Sequence, residues 1–321
     1  MSTPIRVALA TAARLSGLTA DDRILLDELR SRGVAAEPVV WDAPCDWSQF
    51  DAAIIRSCWD SHLKRDAFLA WVAHLTDIGV YLFNSAPLIA WNMDKRYLRE
   101  LSARGVAVVP TEWAGSDASA GNDLAPQSPA PRLHDVLSIN GWAEAVVKPA
   151  VSAGAYETWR TTRATAASDQ TRLDALLNDH TGVVMIQPFM DEVVEQGEWS
   201  LIFVAGSFSH AVLKRPATDD FRVQETHGGS TDAVDAPVRL IDDAAAVLSA
   251  AAEATGMLPH DVLYARVDGI VQDDRLVLME LECVEPTLFF EYAPNAAAYV
   301  SDALLNRVAP LWCGSPSGDI F

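Results

Sequence analysis

The 321-residue chain has four cysteines, Cys45, Cys58, Cys283 and Cys313, and none stands in a CxxC or Cys/His metal spacing. Four unpatterned cysteines in so long a chain exclude a disulfide framework and a zinc-finger-type site, and a reducing cytoplasm is the expected setting. Positive charge is scarce: 24 Lys and Arg stand against 44 Asp and Glu, for a net of -20. Duplex nucleic acid needs a basic footprint, so it is not an expected partner. No apolar run approaches the ~20 residues that cross a bilayer, and Ile5–Ala10 is too short for a secretory h-region, so no membrane partner or processing is expected. GxGxxG is missing, which removes the dinucleotide fingerprint, and there is no internal repeat. One stretch, Ala114–Arg132, is biased toward Gly, Ser, Ala, Pro and Asp, and reads as a loop or mobile connection.

What remains is a chain long enough for two or three domains with large cores, half of it hydrophobic. Strands at Arg6–Ala10, Glu37–Val40, Ala52–Arg56 and Tyr81–Phe83 alternate with helices over Asp21–Arg32 and Arg65–Ile78. That order predicts a parallel, Rossmann-like layer. An amphipathic helix is expected over Trp91–Arg104 and a strand over Ala107–Thr111. A small α+β block follows: a helix at Arg132–Asn140, a strand at Ala145–Lys148, a hairpin-like segment at Tyr156–Arg160, a helix at Asp169–Leu177 and a strand at Val183–Pro188. Beyond it come strands at Glu198–Ala205, Ser207–Arg215 and Phe221–Thr226, then a helix over Asp242–Thr255. Strands Tyr264–Gln272 and Arg275–Glu282 join through Asp273-Asp274, and a final helix, Asn295–Arg307, ends near Pro310. The expected fold class is α/β plus α+β, divided at 1–90, 91–188 and 189–321.

Four separated segments end in groups that a magnesium nucleotide needs. Lys95 lies in Trp91-Asn92-Met93-Asp94-Lys95, and Lys148 ends an apolar strand before the small-residue loop Val151-Ser152-Ala153-Gly154-Ala155. Backbone N–H groups of such a loop can approach phosphate oxygens. Arg222 precedes Gly228-Gly229, where a loop can close over reacting phosphate. In Leu276–Glu282, period two puts Glu280 and Glu282 on one face, with Val277, Met279 and Leu281 on the other, while Arg266 and Asp268 share a face of a neighbouring strand. Three close carboxylates repel one another unless a hard divalent ion binds them. Arg56 and Trp59 follow a strand of the first layer, at the end where such sheets hold ligands, and an arginine there can grip a carboxylate. Bland readings stay open for each: a solvated acidic edge for the trio, surface lysines for Lys95 and Lys148, a loop ion pair for Arg222, and structural roles for Arg56 and Trp59. His210 and His227 read as structural residues.

Together with Gln187-Pro188-Phe189, Gly197-Glu198-Trp199-Ser200 and Arg266-Val267-Asp268, these motifs recur in this order in the ATP-grasp superfamily, and residues 90–295 resemble it. The resemblance runs to the glutathione synthetase branch and nearer still to the O-ureido-serine cyclo-ligase type of cycloserine biosynthesis. It rests there on Ile55-Arg56-Ser57-Cys58-Trp59-Asp60, Phe208–Lys214 and Glu280–Pro286. It implies an ATP-grasp fold, with a Rossmann-like N-terminal domain and two α+β lobes clamping ATP. Lys95, Lys148, Ser152, Lys214 and Arg222 would face the phosphates, and Gln187, Pro188 and Phe189 the adenine. Glu198 would take the ribose, and Asp268, Glu280 and Glu282 two Mg²⁺ ions. Lys148 and Arg222 would be catalytic, and Arg56, Trp59, Arg266 and Glu285 are the candidates for holding substrate. The chain departs from many members at Glu282, where they carry Asn, and in 151–155, where they carry more glycine.

The activity this implies is an ADP-forming ligase. A small-molecule carboxylate becomes an acyl-phosphate and is then attacked by an amine or other nitrogen, joining two molecules or closing a ring. A small-molecule phosphotransferase and a non-catalytic ATP-binding protein are the other readings. A homodimer is all that the resemblance offers about assembly.

Overall fold

The computed structural model describes residues 4–115, 131–178, 182–218, 220–224 and 227–313, with side chains in the last helix as far as Val308. Residues 116–130 of the biased stretch, 225–226 of the expected strand Phe221–Thr226, and the Cys313 side chain lie outside these.

Strands β1 (Arg6–Thr11), β2 (Ala35–Val40), β3 (Ala52–Ile55) and β4 (Tyr81–Phe83) form a wholly parallel sheet in the order β2-β1-β3-β4. The apolar runs of β1 and β3 suit strands covered on both faces. Helix α1 (Ala20–Ser31) starts where Thr19 Oγ1 accepts from Asp22 N at 3.0 Å, with Asp21 and Asp22 in its first turn opposite the helix dipole. Its leucines Leu25 and Leu29 pack in a core shared with β1, Tyr264 and the last helix. Helix α2 (Arg65–Asp77) covers the opposite face, in a core rich in Trp41, Trp47, Phe68 and Trp71.

Helices α3 (Ala86–Asn92) and α4 (Tyr97–Ala103) replace the single helix expected over Trp91–Arg104. The break has a local cause: Asp94 accepts from the Arg96 main-chain N at 3.0 Å, and Lys95 N donates to Ala150 O at 2.9 Å instead of up its own helix. Residues 107–111 are also not a full strand. Val108 makes one bridge to Leu278, and β5 begins at Glu112 and ends at Gly115.

The second sheet, in the order β5-β8-β6-β7, is antiparallel and contains β6 (Glu144–Pro149), β7 (Trp159–Thr162) and β8 (Val183–Pro188). Ala145 and Val147 of β6 are buried against α5 (Leu133–Ile139) and α6 (Ala166–Asn178), which sends Lys148 to the other face.

The third sheet has five antiparallel strands in the order β11-β10-β9-β12-β13. These are β9 (Glu198–Val204), β10 (Ser207–Arg215), β11 (Ser230–Val234), β12 (Tyr264–Gln272) and β13 (Arg275–Glu282). Short helix α7 (Glu192–Glu195) precedes it, and α8 (Val238–Ala254) packs with α4 over one face. Asp273 and Asp274, both left-handed at φ 51° and 58°, make the two-residue β12–β13 turn. Residues 220–224 are irregular where a strand was expected, and the strand in this region is β11. Helix α9 (Ala296–Cys313) runs past Pro310, beyond the expected end.

The period-two reading of β13 needs a correction. Asp268 pairs with Glu280 but Gly269 pairs with Leu278, so Met279 is an extra residue in a bulge. Leu276, Leu278 and Leu281 therefore share the large core, while Val277 and Met279 pack on a separate cluster of Val193, Val223 and Ile270. Among the described residues no helix is long and apolar enough to cross a membrane.

Candidate active site

Strand register lines up the charged groups of the third sheet. Lys214 on β10 stands opposite Glu198 on β9, Ser200 opposite Asp268 on β12, and Asp268 opposite Glu280 on β13, with Arg266 opposite Glu282. Lys214 Nζ donates to Glu198 Oε1 at 2.6 Å and lies 3.5 Å from Asp268 Oδ1. Arg266 Nη2 donates to Asp268 Oδ2 at 2.8 Å and also to Glu282, and Ser200 Oγ donates to Asp268. Burial alone would raise the Asp268 carboxyl, but Arg266 and then Lys214 overcome it and hold that group below its usual range. Glu282 goes the other way: burial, with Glu280 and Asp268 beside it, outweighs Arg266 and pushes it up to about 7.

Opposite this row stand the two lysines. Lys95 Nζ lies 3.1 Å from Glu280 Oε1 and donates to Ser152 O at 2.6 Å, so it ties the 151–155 segment to the acidic edge. Ser152 Oγ in turn donates to Pro149 O at 3.0 Å. Lys148 has no hydrogen-bond partner among the described residues. Burial first, and then Lys95, pull its ammonium below the usual range against Glu280 and Glu198. A partly desolvated, unpaired cation is suited to an incoming anion.

Asp268, Glu280 and Glu282 share a face but do not converge as ligands, and no group of three His, Cys, Asp or Glu poised to hold a metal occurs among the described residues. Their mutual repulsion is relieved by pairing each with a cation, which spreads them apart. The donor set nevertheless fits a hard divalent ion: three carboxylates on adjoining strands, with the Glu280 and Glu282 side chains each 29% exposed.

Gln187 is buried near the end of β8, where its Nε2 donates to Thr111 Oγ1 at 2.9 Å, and Pro188 closes that strand. Phe189 N donates to Glu144 O at 3.1 Å. Arg160 stacks 3.8 Å over the Phe189 ring, whose edge meets Phe221. The Arg222 loop leaves β10 just beyond Lys214 and returns in β11 beside it, anchored by Val223 on the cluster holding Met279. Arg222 itself pairs with Asp220 at 2.8 Å, away from the acidic row and the lysines.

In the first layer the expected arrangement changes. Arg56 is 1% exposed, with Nε on Asp22 at 2.8 Å, Nη2 on Pro286 O at 2.7 Å and Tyr264 stacked at 5.0 Å. Here it is a buried ion pair joining layers, with Nη1 left without a hydrogen-bond partner among the described residues. Trp59 and Glu285 do meet: Trp59 Nε1 donates to Glu285 O at 3.1 Å, and Ser61 Oγ to Glu285 Oε1 at 3.0 Å. Burial and then Glu282 push the Glu285 carboxyl up to about 8. His210 is held by Leu288 O at 2.9 Å, and His227 enters no such pairing with the row.

Sequence reasoning passed over three residues that fix β13. That strand is an edge, and its free main-chain groups are taken by side chains. Asn92 Nδ2 donates to Leu281 O at 2.8 Å while its Oδ1 accepts from Cys283 N at 2.7 Å. Tyr97 OH bonds both Leu281 O and Leu281 N at 2.9 Å, and Asn84 Nδ2 reaches Cys283 O at 2.7 Å. Asn92 was in view as part of the Lys95 motif, and a polar residue on a helix's apolar stripe was the available signal.

A family model described as "D-cycloserine synthetase DcsG, N-terminal domain" matches residues 7–84. "Cycloserine biosynthesis protein DcsG" of Streptomyces lavendulae is 32% identical over 323 residues, covering 95% of this chain and 99% of that protein. The crystal structure of D-cycloserine synthetase DcsG superposes with a TM-score of 0.81 at 30% identity, over 94% of this chain and 99% of the other. D-alanine–D-alanine ligase from Bacillus anthracis, solved with ATP, shares the fold at 13% identity, with a TM-score of 0.63 over 96% of this chain and 99% of that one. With the parallel N-terminal layer, the two antiparallel sheets and the facing lysines and carboxylates, these likenesses settle the family: the chain belongs to the D-cycloserine synthetase family of ATP-grasp ligases.

Proposed function

We propose that the enzyme closes a ring by forming an amide-type C–N bond within an amino-acid-derived substrate, through an acyl-phosphate made at the expense of ATP. The observation that carries this reading is the Lys95–Glu280 contact at 3.1 Å, where the phosphate-facing segment and the acidic strands meet as two sides of one cleft. In this reading the protein has three parts, 1–90, 91–188 and 189–321. Lys95, Lys148, Lys214 and the Ser152 segment hold the ATP phosphates, the main chain at Gln187–Phe189 reads the base, and Glu198 takes the ribose. Asp268, Glu280 and Glu282 would hold two Mg²⁺ ions, which supply charge neutralisation to the phosphate oxygens. Arg222 reaches the transferring phosphoryl group once its loop closes and it leaves Asp220. Trp59, Arg266 and Glu285 line the substrate side, with Arg56 behind them as a support. The free thiols Cys45, Cys58 and Cys283 suit a reducing cytoplasm.

The ring-closing form draws on the cycloserine relative. Incubation with ATP, MgCl₂ and O-ureido-D-serine should give ADP, phosphate and a ring product with the mass of N-carbamoyl-cycloserine, or of cycloserine once the carbamoyl group is lost by hydrolysis as carbon dioxide and ammonia. ADP with a phosphorylated substrate as the final product would instead make this a phosphotransferase.

A further inference from the structure

We propose that His62 is the base that accepts the proton from the attacking nitrogen, an inference that rests on the ligase reading above. The residue lies in the turn after β3, at the carboxyl end of the parallel sheet, where such layers meet their ligands. That turn is fixed against the stretch following β13 by the Trp59 and Ser61 hydrogen bonds to Glu285, three residues past Glu282. On its other side the His62 ring stands 5.3 Å, centre to centre, from Tyr156, in the segment that follows Lys148 and carries the Ser152 contact to Lys95. His62 thus occupies the seam between the first layer and the phosphate-facing segment.

Within that seam His62 Nδ1 is shut off from solvent beside the Trp59 main chain, which orients the ring, while Nε2 has no hydrogen-bond partner among the described residues. A ring held at one nitrogen presents the other, so an unpartnered Nε2 beside the phosphate-facing segment is placed to take a proton. The charged and titratable groups around it come from four elements: Arg14 after β1, Asp60 on the same turn, Lys95 before α4 and Tyr156 after β6. Burial, then Lys95, with Arg14 adding to them, outweigh Asp60 and keep the imidazole below its usual range. A neutral ring with an open nitrogen is the state a proton acceptor must be in before reaction. His210 is not available for this, since its nitrogens face Ser209 Oγ at 3.0 Å and Leu288 O at 2.9 Å.

The step balances as follows. The nitrogen lone pair adds to the acyl-phosphate carbon, the new C–N bond forms, and the C–O bond to phosphate breaks with its electron pair leaving on phosphate. The proton released from nitrogen goes to His62 Nε2 and from there to water.

The test uses the full-length protein with ATP, MgCl₂ and O-ureido-D-serine, with and without hydroxylamine, which traps acyl-phosphate as a hydroxamate. His62→Asn and His62→Gln, each checked by thermal unfolding, should lower ring formation about 100-fold or more. Hydroxamate yield should stay within about threefold of wild type, and the acid limb of the ring-formation pH profile, expected below 6.5, should disappear. Added imidazole should restore part of the ring formation in His62→Ala. Parallel loss of hydroxamate and ring product, or a folded His62→Gln enzyme with ring formation and acid limb unchanged, overturns the assignment. Absence of any hydroxamate from wild type refutes the ligase reading itself.

Discussion

Replacing Asn92 with alanine should loosen the acidic strand more than any distant truncation of equal size. Asn92 is 7% exposed, and its side chain supplies two hydrogen bonds to β13, at 2.8 Å to Leu281 O and 2.7 Å from Cys283 N, on either side of Glu282. After truncation Leu281 O keeps the Tyr97 hydroxyl, but the Cys283 N–H is left buried and unpaired. An orphaned buried donor costs about 1–3 kcal/mol, and the lost bond itself about 1, so about 2–4 kcal/mol in all. For a protein of this size that lowers the thermal midpoint by about 3–6 °C, readable by circular dichroism or differential scanning fluorimetry. Because Glu280 and Glu282 ride on the same strand, the Mg²⁺ concentration giving half-maximal ADP formation should rise severalfold. Tyr97→Phe should act in the same direction, and the double variant should be less damaged than the sum, since both residues hold one segment. A midpoint within about 1 °C of wild type, together with an unchanged Mg²⁺ dependence, would refute the idea that side chains take the place of a missing neighbour strand.

Glu285→Gln probes a carboxyl pushed up to about 8 by burial and Glu282. Its ionisation penalises the folded state, so wild type should match the variant below about 4.5, fall behind it as pH rises toward 8, and keep a constant deficit above; midpoints measured across pH check the sign. Lys148→Met should weaken ATP binding by about tenfold or more, because a charge-assisted contact is lost, while calorimetry should find stability unchanged or raised, since burial already disfavours that ammonium. At Gly229 an added Cβ would overlap the Val223 carbonyl oxygen, so Gly229→Ala must displace the Arg222 loop. Its kcat should drop about tenfold or more, with ATP affinity measured by equilibrium binding changed less than threefold.

The strands Ser207–Arg215, Tyr264–Gln272 and Arg275–Glu282 of the third sheet could be read directly, and the last two meet at a two-residue Asp-Asp turn. Period two paired Glu280 with Glu282 and Arg266 with Asp268, the family resemblance added Lys214 and Glu198, and strand register lines all six up. Where the reading went wrong, the cause was a contact with residues far away in sequence. Helical periodicity continues through Trp91–Arg104, and the main-chain bond from Lys95 to Ala150 that breaks it leaves no local trace. The Met279 bulge is set by pairing with β12, which a single strand cannot reveal. Arg56 looked like a ligand-holding arginine from its place after a strand, and its burial depends on Asp22 in α1 and on Tyr264 and Pro286, the last two more than two hundred residues away. Asn84 was hidden for a similar reason: a side chain that completes another segment's hydrogen bonding has no periodicity of its own.

Helix α9 closes the outer face of the first layer, with Val300 and Leu304 wholly buried alongside Leu25 and Leu29 of α1, and Arg32 paired with Asp302. The first layer is thus finished by a helix that lies far later in the chain. During synthesis a leucine-lined surface must wait, uncovered, for some two hundred and fifty residues of further translation. A fragment ending near residue 90 would keep that leucine-lined face open to water.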